Sequence, residues 1–249
     1  MRAALDRVYG VYAVLLLGVV GTVTWAACAI VPNTDWCWRL THRMARLFLS
    51  LAGIPLTVRG LERVPSGRAC VLAVNHTSYL DGLILAAALP KLARFVAKRD
   101  FLTHFVTRVY LTRIGAEFVD RSDRQRTIED ALRISRADGG HPFIFFPEGT
   151  FGGAHGLRQF RMGAFVIAAR TGMPVVPVTL GGTRSALRDG KWWFRSGPVS
   201  VIFSEPIEPE GPGWNAAVTL RDRTRAEILN LCGEPDLAYA TAPATKRAS

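Results

Sequence analysis

Apolar positions along this chain fall into two kinds of pattern: short unbroken runs, and longer stretches with helical spacing. The N-terminal stretch differs from both. Residues 8–34, 27 positions in a row, hold no charged side chain. About 20 helical residues already cross the hydrocarbon core of a bilayer, so this stretch predicts a membrane helix. Tyr9, Tyr12 and Trp25 are available as interfacial anchors. A cleaved signal peptide fits less well. The apolar run is longer than a typical signal core, and Trp25 stands where a lipobox before Cys28 needs an aliphatic residue. Arg39, Arg43 and Arg46 follow the run, which by the positive-inside rule puts the main body in the cytoplasm at the cell membrane. Arg2 and Arg7 precede it, so a re-entrant course with both ends cytoplasmic stays open. Residues 38–51 are amphipathic, with Leu40, Met44, Leu47, Phe48 and Leu51 opposite the three arginines. Such a helix suits a bilayer surface or the core of a folded domain equally well.

From residue 54 the two patterns alternate. Strands are expected at 54–59, 71–74, 95–97, 117–121, 143–146, 175–180 and 199–203. Helices are expected at 83–89, 101–114, 122–137, 162–170 and 215–231. The alternation predicts an α/β fold, a mostly parallel sheet flanked by helices. The implied division is membrane-associated helices over 1–54, an α/β domain over 55–236, and a disordered polar tail over 237–249.

Charge narrows the partners. Lys and Arg outnumber Asp and Glu by 31 to 20, a formal net charge of +11. That balance suits an anionic membrane surface or a phosphorylated substrate. It does not point to nucleic acid, since there is no zinc-finger spacing, no aromatic RNA-binding motif and no long basic run. Cys28, Cys37, Cys70 and Cys232 are scattered without CxxC spacing and imply neither a disulfide framework nor a metal site.

The chemistry gathers where apolar runs stop. Val71-Leu72-Ala73-Val74 reads as a buried strand and ends in Asn75-His76-Thr77-Ser78-Tyr79-Leu80-Asp81. Ser78 is placed to cap the following helix, with Asp81 in the capping-box position. His76 and Asp81 lie five apart, about 140° away from each other on one continuous helix. They meet only if the chain bends between them, and a strand-to-helix turn supplies that bend. Asp81 is then either a helix cap or the partner of His76. A histidine oriented by a carboxylate is a general base. Neither the GxSxG nucleophile elbow nor a P-loop or dinucleotide fingerprint is present. A base without a protein nucleophile suggests that the substrate brings its own, such as a hydroxyl.

Asn75 to Asp81 resembles the first motif of the 1-acylglycerol-3-phosphate (lysophosphatidic acid) acyltransferase family of glycerolipid acyltransferases. Gly115-Ala116-Glu117-Phe118-Val119-Asp120-Arg121 is similar to the second motif, Phe146-Pro147-Glu148-Gly149-Thr150 to the third and Val175-Val176-Pro177-Val178 to the fourth. The four stand in the family's order. The resemblance implies acyl transfer from acyl-CoA or acyl carrier protein to a lysophospholipid hydroxyl, giving phosphatidic acid. His76 and Asp81 would be catalytic. Because the thioester is already activated, no metal and no other cofactor is implied beyond the acyl co-substrate. Arg121 would bind the acceptor's phosphate through a bidentate guanidinium contact, although by position it also reads as a surface arginine before a helix. Glu148 would bind a glycerol hydroxyl or order its loop. Gly149, needed for backbone geometry, and Thr150 complete the third motif. One departure stands out. Many members carry a basic residue soon after that threonine, whereas here the loop reads Phe151-Gly152-Gly153-Ala154-His155-Gly156-Leu157-Arg158. Arg158, Arg161 or His155 would have to supply that contact. The departure keeps another acceptor open, such as a lyso-ornithine lipid. A membrane-bound lipid-binding protein without catalysis is the rival from another class, and the intact His76 and Asp81 argue against it.

Overall fold

The computed structural model describes residues 2–119, 140–149, 155–187 and 193–238, with side chains from Leu5 onward. Seven strands among them form one sheet. They are β1 (Leu56–Arg59), β2 (Val71–Val74), β3 (Arg94–Lys98), β4 (Glu117–Val119), β5 (Phe143–Phe145), β6 (Val175–Gly181) and β7 (Val199–Phe203). Their order across the sheet is β1-β7-β6-β2-β5-β3-β4. Neighbouring strands are parallel except β6 and β7. β7 therefore departs from the expected parallel pattern. Parallel neighbours need a long crossover, usually a helix. Among the described residues the β6–β7 link holds only a single helical turn, Thr183–Ala186.

The sheet is covered on both faces. Alternate residues of a strand point to opposite sides. Leu72 and Val74 of β2 join one apolar cluster, and Val71 and Ala73 join another. Every residue of β2 is buried, as are the first six of β6, which is why β2 reads as an unbroken apolar run and β6 as one interrupted only by Thr179. The first face carries α1 (Arg2–Ile30), α2 (Thr34–Leu51) and α3 (Asp81–Ala88); α4 (Phe105–Arg113) packs against α1. The second face carries α5 (Gly163–Thr171) and α7 (Trp214–Cys232), and α6 (Thr183–Ala186) follows β6. The helix expected over 101–114 is broken. A 3-10 turn, Arg99–Leu102, precedes α4, with Thr103 and His104 between. Thr103 Oγ1 donates to Asp100 O (2.7 Å) and Thr107 Oγ1 to Phe101 O (2.8 Å), so side chains occupy carbonyls that a continuous helix would use. Residues 120–139 lie outside the described residues, and with them the expected 122–137 helix. So do 150–154, 188–192 and 239–249, the last covering most of the expected tail.

Two N-terminal helices settle into this body differently. Asn33 caps α2, its Oδ1 accepting from Trp36 N at 2.8 Å, which starts the helix four residues before the expected position. The inner face of α2 buries Trp38, Phe48 and Leu49, and Trp38 Nε1 donates to Leu89 O at 3.1 Å. Of its two readings, bilayer surface or core, α2 is a core helix by this face. Arg39, Arg43 and Arg46 are exposed, and so are Leu47 and Leu51.

In α1 the usual order of a soluble helix is inverted. Small residues face the protein: Gly10, Ala13, Thr24 and Cys28 are buried. Large aliphatic ones face outward: Leu5, Val8, Leu15 and Val19 are each more than three-fifths exposed. Small side chains let helix backbones approach closely, and the outward apolar face suits lipid. Residues 5–30 are long and apolar enough to cross a membrane. The helix is tied to the body at both ends. Tyr9 OH donates to Ala52 O (2.8 Å), Trp25 Nε1 to Val106 O (3.0 Å) and Arg113 Nη2 to Ala29 O (3.3 Å).

The docking of α2 predicts unequal costs on its two faces. Trp38→Ala should lower the unfolding free energy by about 3–5 kcal/mol. Leu47→Ala should change it by about 0.5 kcal/mol or less. Denaturant unfolding of the purified protein measures both, and equal losses would mean that α2 is not packed as described.

Candidate active site

β2, β5 and β6 run parallel and side by side, so their carboxyl ends share one edge of the sheet. Ligands of open α/β sheets collect at that edge. Asn75 extends β2 past its last residue. Its side-chain amide donates to Leu180 O (3.0 Å) and accepts from Leu180 N (2.7 Å), so a side chain continues the ladder where the backbone leaves. His76 follows, and its N–H donates to Glu148 Oε1 at 2.7 Å.

The next residues wrap a carboxylate. Asp81 is wholly buried, and its Oδ2 accepts from Thr77 N (2.7 Å), Ser78 N (2.9 Å) and His76 Nδ1 (2.8 Å). As the first residue of α3 it also lies at the positive end of that helix's dipole. Ser78 does not cap α3, contrary to expectation; Leu80 occupies the cap position. The Asp81 carboxylate draws in the Ser78 N–H while Asp81 N donates to Ser78 O (3.2 Å), a tight turn that delays the helix. Ser78 Oγ instead accepts from Leu80 N (3.2 Å) and donates to Leu187 O (2.9 Å). Thr77 and Thr183 share a hydroxyl contact of 2.7 Å that pins the turn to α6. Asp81 thus organises the turn and holds the imidazole as well. With Nδ1 donating to the carboxylate, the neutral ring carries its lone pair on Nε2. The ring stacks on Phe146 at 4.1 Å between centroids, and the side chain is one-fifth exposed, unlike its partner.

Glu148 joins two loops. It is 6% exposed; its Oε1 holds His76 N and its Oε2 accepts from Arg158 N at 3.1 Å. Both oxygens are therefore engaged in ordering backbone. Burial pushes its carboxyl above the usual range, while the two N–H donors pull it down. Gly149 sits at φ +81°, closing a turn in which its N–H reaches Phe146 O at 3.0 Å. A Cβ there would meet Arg161 Nε at 2.6 Å, so the bare glycine lets the Arg161 side chain lie across the turn. Arg161 is exposed and Arg158 half-buried. His76, Asp81, Glu148, Gly149, Arg158 and Arg161 thus fall in one neighbourhood. Arg121 and Thr150 lie outside the described residues. Among the described residues no group of three or more His, Cys, Asp or Glu side chains forms a metal cluster.

Sequence reasoning passed over Asn75 and Phe146, although both stood inside the motifs, and over Thr183, for which the sequence held no signal. It also passed over a cavity of about 450 Å³ between α1, α2, α3, α4 and β3, lined by Val20, Gly21, Gly82, Leu83, Ala86 and Tyr110 among others. Gly82 is the chain neighbour of Asp81, so the cavity reaches the first turn of the helix that bears the site.

The acyltransferase family profile matches residues 55–181, about half of the chain. The chloroplastic 1-acyl-sn-glycerol-3-phosphate acyltransferase of Brassica napus is 33% identical over 172 residues, covering 67% of this chain and 50% of that protein. The human 1-acyl-sn-glycerol-3-phosphate acyltransferase beta is 31% identical over 168 residues, 67% of this chain and 60% of that one. The chain spans about half the length of the first curated relatives it matches. The crystal structure of the 1-acyl-sn-glycerophosphate acyltransferase PlsC from Thermotoga maritima has a similar fold. Its TM-score is 0.71 at 22% identity, covering 90% of this chain and 95% of that one. The chain belongs to the 1-acylglycerol-3-phosphate acyltransferase family of glycerolipid acyltransferases.

Proposed function

We propose that this protein moves an acyl group from acyl-CoA or acyl carrier protein to the free hydroxyl of 1-acylglycerol-3-phosphate, giving phosphatidic acid. The observation that carries the reading is the contact of 2.8 Å between His76 Nδ1 and the buried Asp81 carboxylate, at the sheet edge where ligands gather. The acceptor hydroxyl attacks the thioester carbonyl, and its proton passes to His76 Nε2. Asp81 stabilises the imidazolium that forms. The tetrahedral intermediate then collapses, the C–S bond breaks, and the proton returns from His76 to the departing thiolate. The products are an ester and a free thiol, and no group on the protein is acylated.

In this reading the apolar cavity takes an acyl chain. Its volume lies within the range of small-ligand sites. Arg161, lying over Gly149, binds the acceptor's phosphate together with Arg158, and the motif residues Arg121 and Thr150 are assigned to the same acceptor. Glu148 keeps His76 in register through the backbone. The outward apolar face of α1 enters the lipid from the cytoplasmic side. Because α1 is tied to the body at both ends, that face lies in one leaflet instead of crossing two.

The test is transfer of labelled acyl-CoA to a panel of lysolipids, lyso-ornithine lipid included, by the purified protein in lipid. Lysophosphatidic acid should be the preferred acceptor. His76→Ala should lower kcat by at least about 100-fold with little change in KM, since a positioned base contributes that much or more. Full turnover by His76→Ala would sink the mechanism, and binding without turnover by the native protein would favour a lipid-binding role.

Glu148 supplies a second test, through pH. Its folded carboxyl is raised above its ordinary 4.5, so the folded state holds its proton more tightly than the unfolded chain. The stabilisation is fully present below the unfolded value and is lost as pH rises through the raised folded value. Glu148→Gln removes this slope, so plots of Tm against pH for the two proteins should converge below 4.5 and the wild type should lose ground above it. Parallel curves would refute the assignment. The same variant should turn over more slowly, because an amide has one acceptor oxygen for two N–H groups.

A further inference from the structure

Beyond residue 181, where the family profile ends, a short strap closes over the loop that Glu148 holds. α7 stops at Gly233, and the chain turns back. Glu234 makes a two-point ion pair with Arg184, Nε to Oε1 at 2.8 Å and Nη2 to Oε2 at 3.1 Å. Pro235 O accepts from Leu157 N, and Leu237 N donates to Leu157 O, both at 2.9 Å. These two bonds make a one-residue parallel bridge between Leu157 and Asp236. Gly156 fits beneath Leu237 so tightly that a Cβ would come within 2.4 Å of Leu237 Cγ.

Arg225, one side chain of α7, ties the assembly together. It forms a forked pair with Asp236 through Nη1 (3.1 Å) and Nη2. Its Nη2 also donates to Leu157 O at 3.0 Å and its Nε to Arg158 O at 3.1 Å. The peptide group joining Leu157 to Arg158 is thus engaged at both ends. Its carbonyl accepts from the guanidinium, and its N–H donates to Glu148 Oε2 at 3.1 Å. The other oxygen of Glu148 takes the N–H of His76 at 2.7 Å. Chains of hydrogen bonds polarise one another and act as a unit. No step between Arg225 and the backbone of His76 lacks a donor and an acceptor.

We infer that Arg225, fixed by Asp236, is a positioning residue for the acyl transfer proposed above. It acts through the 157–158 peptide and Glu148 to hold the backbone of His76, and the inference rests on that reading of His76. The C-terminal strap is in this view part of the catalytic apparatus, although it touches no substrate. Lysine at 225 would keep the charge but lose the fork, since a single ammonium head cannot reach two carbonyls and a carboxylate in this arrangement.

The experiment uses the full chain in lipid and two readouts. In the first, Arg225→Ala should lower kcat by about 10- to 100-fold, the scale of a small misplacement at a reacting group, with KM for the acyl donor unchanged. Arg225→Lys should fall between. Arg223→Ala, on the same helix and paired with Glu210 at 3.3 Å on the surface, should leave turnover as it is. Because the effect passes through Glu148, Arg225→Ala added to Glu148→Gln should cost little more than Glu148→Gln alone. Additive losses, or a loss that merely follows the unfolded fraction, would overturn the inference. The second readout is hydrogen–deuterium exchange over residues 74–79, which should quicken in Arg225→Ala at a temperature well below Tm. Unchanged exchange there overturns the inference whatever the activity shows. If His76→Ala turned over normally the base assignment would fail, and exchange would still decide whether Arg225 holds this backbone.

Discussion

A carboxylate with no access to water has to be surrounded by donors, or it destabilises the fold by several kcal/mol. Asp81 meets that demand at one oxygen, with two backbone N–H groups and one imidazole N–H. The backbone donors come from the two residues after His76. Gathering them requires a tight turn directly after β2, and that turn is what brings the ring to the carboxylate. The arrangement of the site is in this sense a consequence of burying one charge. A water-exposed aspartate at the same position would leave the turn free to open.

The second constraint acts across the chain instead of along it. Glu148 follows β5 and His76 follows β2, and these strands are neighbours in the sheet. Their register places one oxygen of a buried carboxyl under the His76 N–H and the other under Arg158 N. A loop that follows a third-motif turn is thereby fastened to the loop that bears His76. Gly149 makes the fastening possible, because a side chain there would collide with Arg161.

Much of this was legible in the sequence, and the exceptions have physical causes. β2, β5 and β6 are legible because burial within the sheet leaves runs that are almost wholly apolar, Thr179 of β6 being the one polar residue. α7 and the apolar α1 were equally plain. The direction of β7 was not, since a strand's pattern records which faces are buried and carries nothing about the direction of its neighbour. Ser78 read as a cap by position alone. The competing claim of the Asp81 carboxylate on its N–H appears only once the turn exists. α4 starts late because the threonine hydroxyls take backbone carbonyls, an outcome that helical spacing does not encode. Nothing in the sequence singles out Glu234 and Asp236, because their partners Arg184 and Arg225 lie 50 and 11 residues away. The contact between His76 and Asp81 is legible because the two lie five residues apart across a strand-to-helix turn. The strap went unseen because it contributes no reacting atom.

The inverted arrangement of α1 has a consequence of its own. Its inner stripe belongs to the same apolar cluster as the sheet, and its outer stripe is large and aliphatic. Helix and body therefore fold as one object, and in the membrane-bound state proposed above its outward stripe is left for lipid to cover. A surface that engages the folded chain and not the unfolded one stabilises it by mass action. The bilayer then behaves as a thermodynamic ligand of the protein, and its thickness and composition become variables of the melting curve. In that proposed state lipid is solvent and structural partner together, and an aqueous preparation stripped of it would sample a chain missing one of its components.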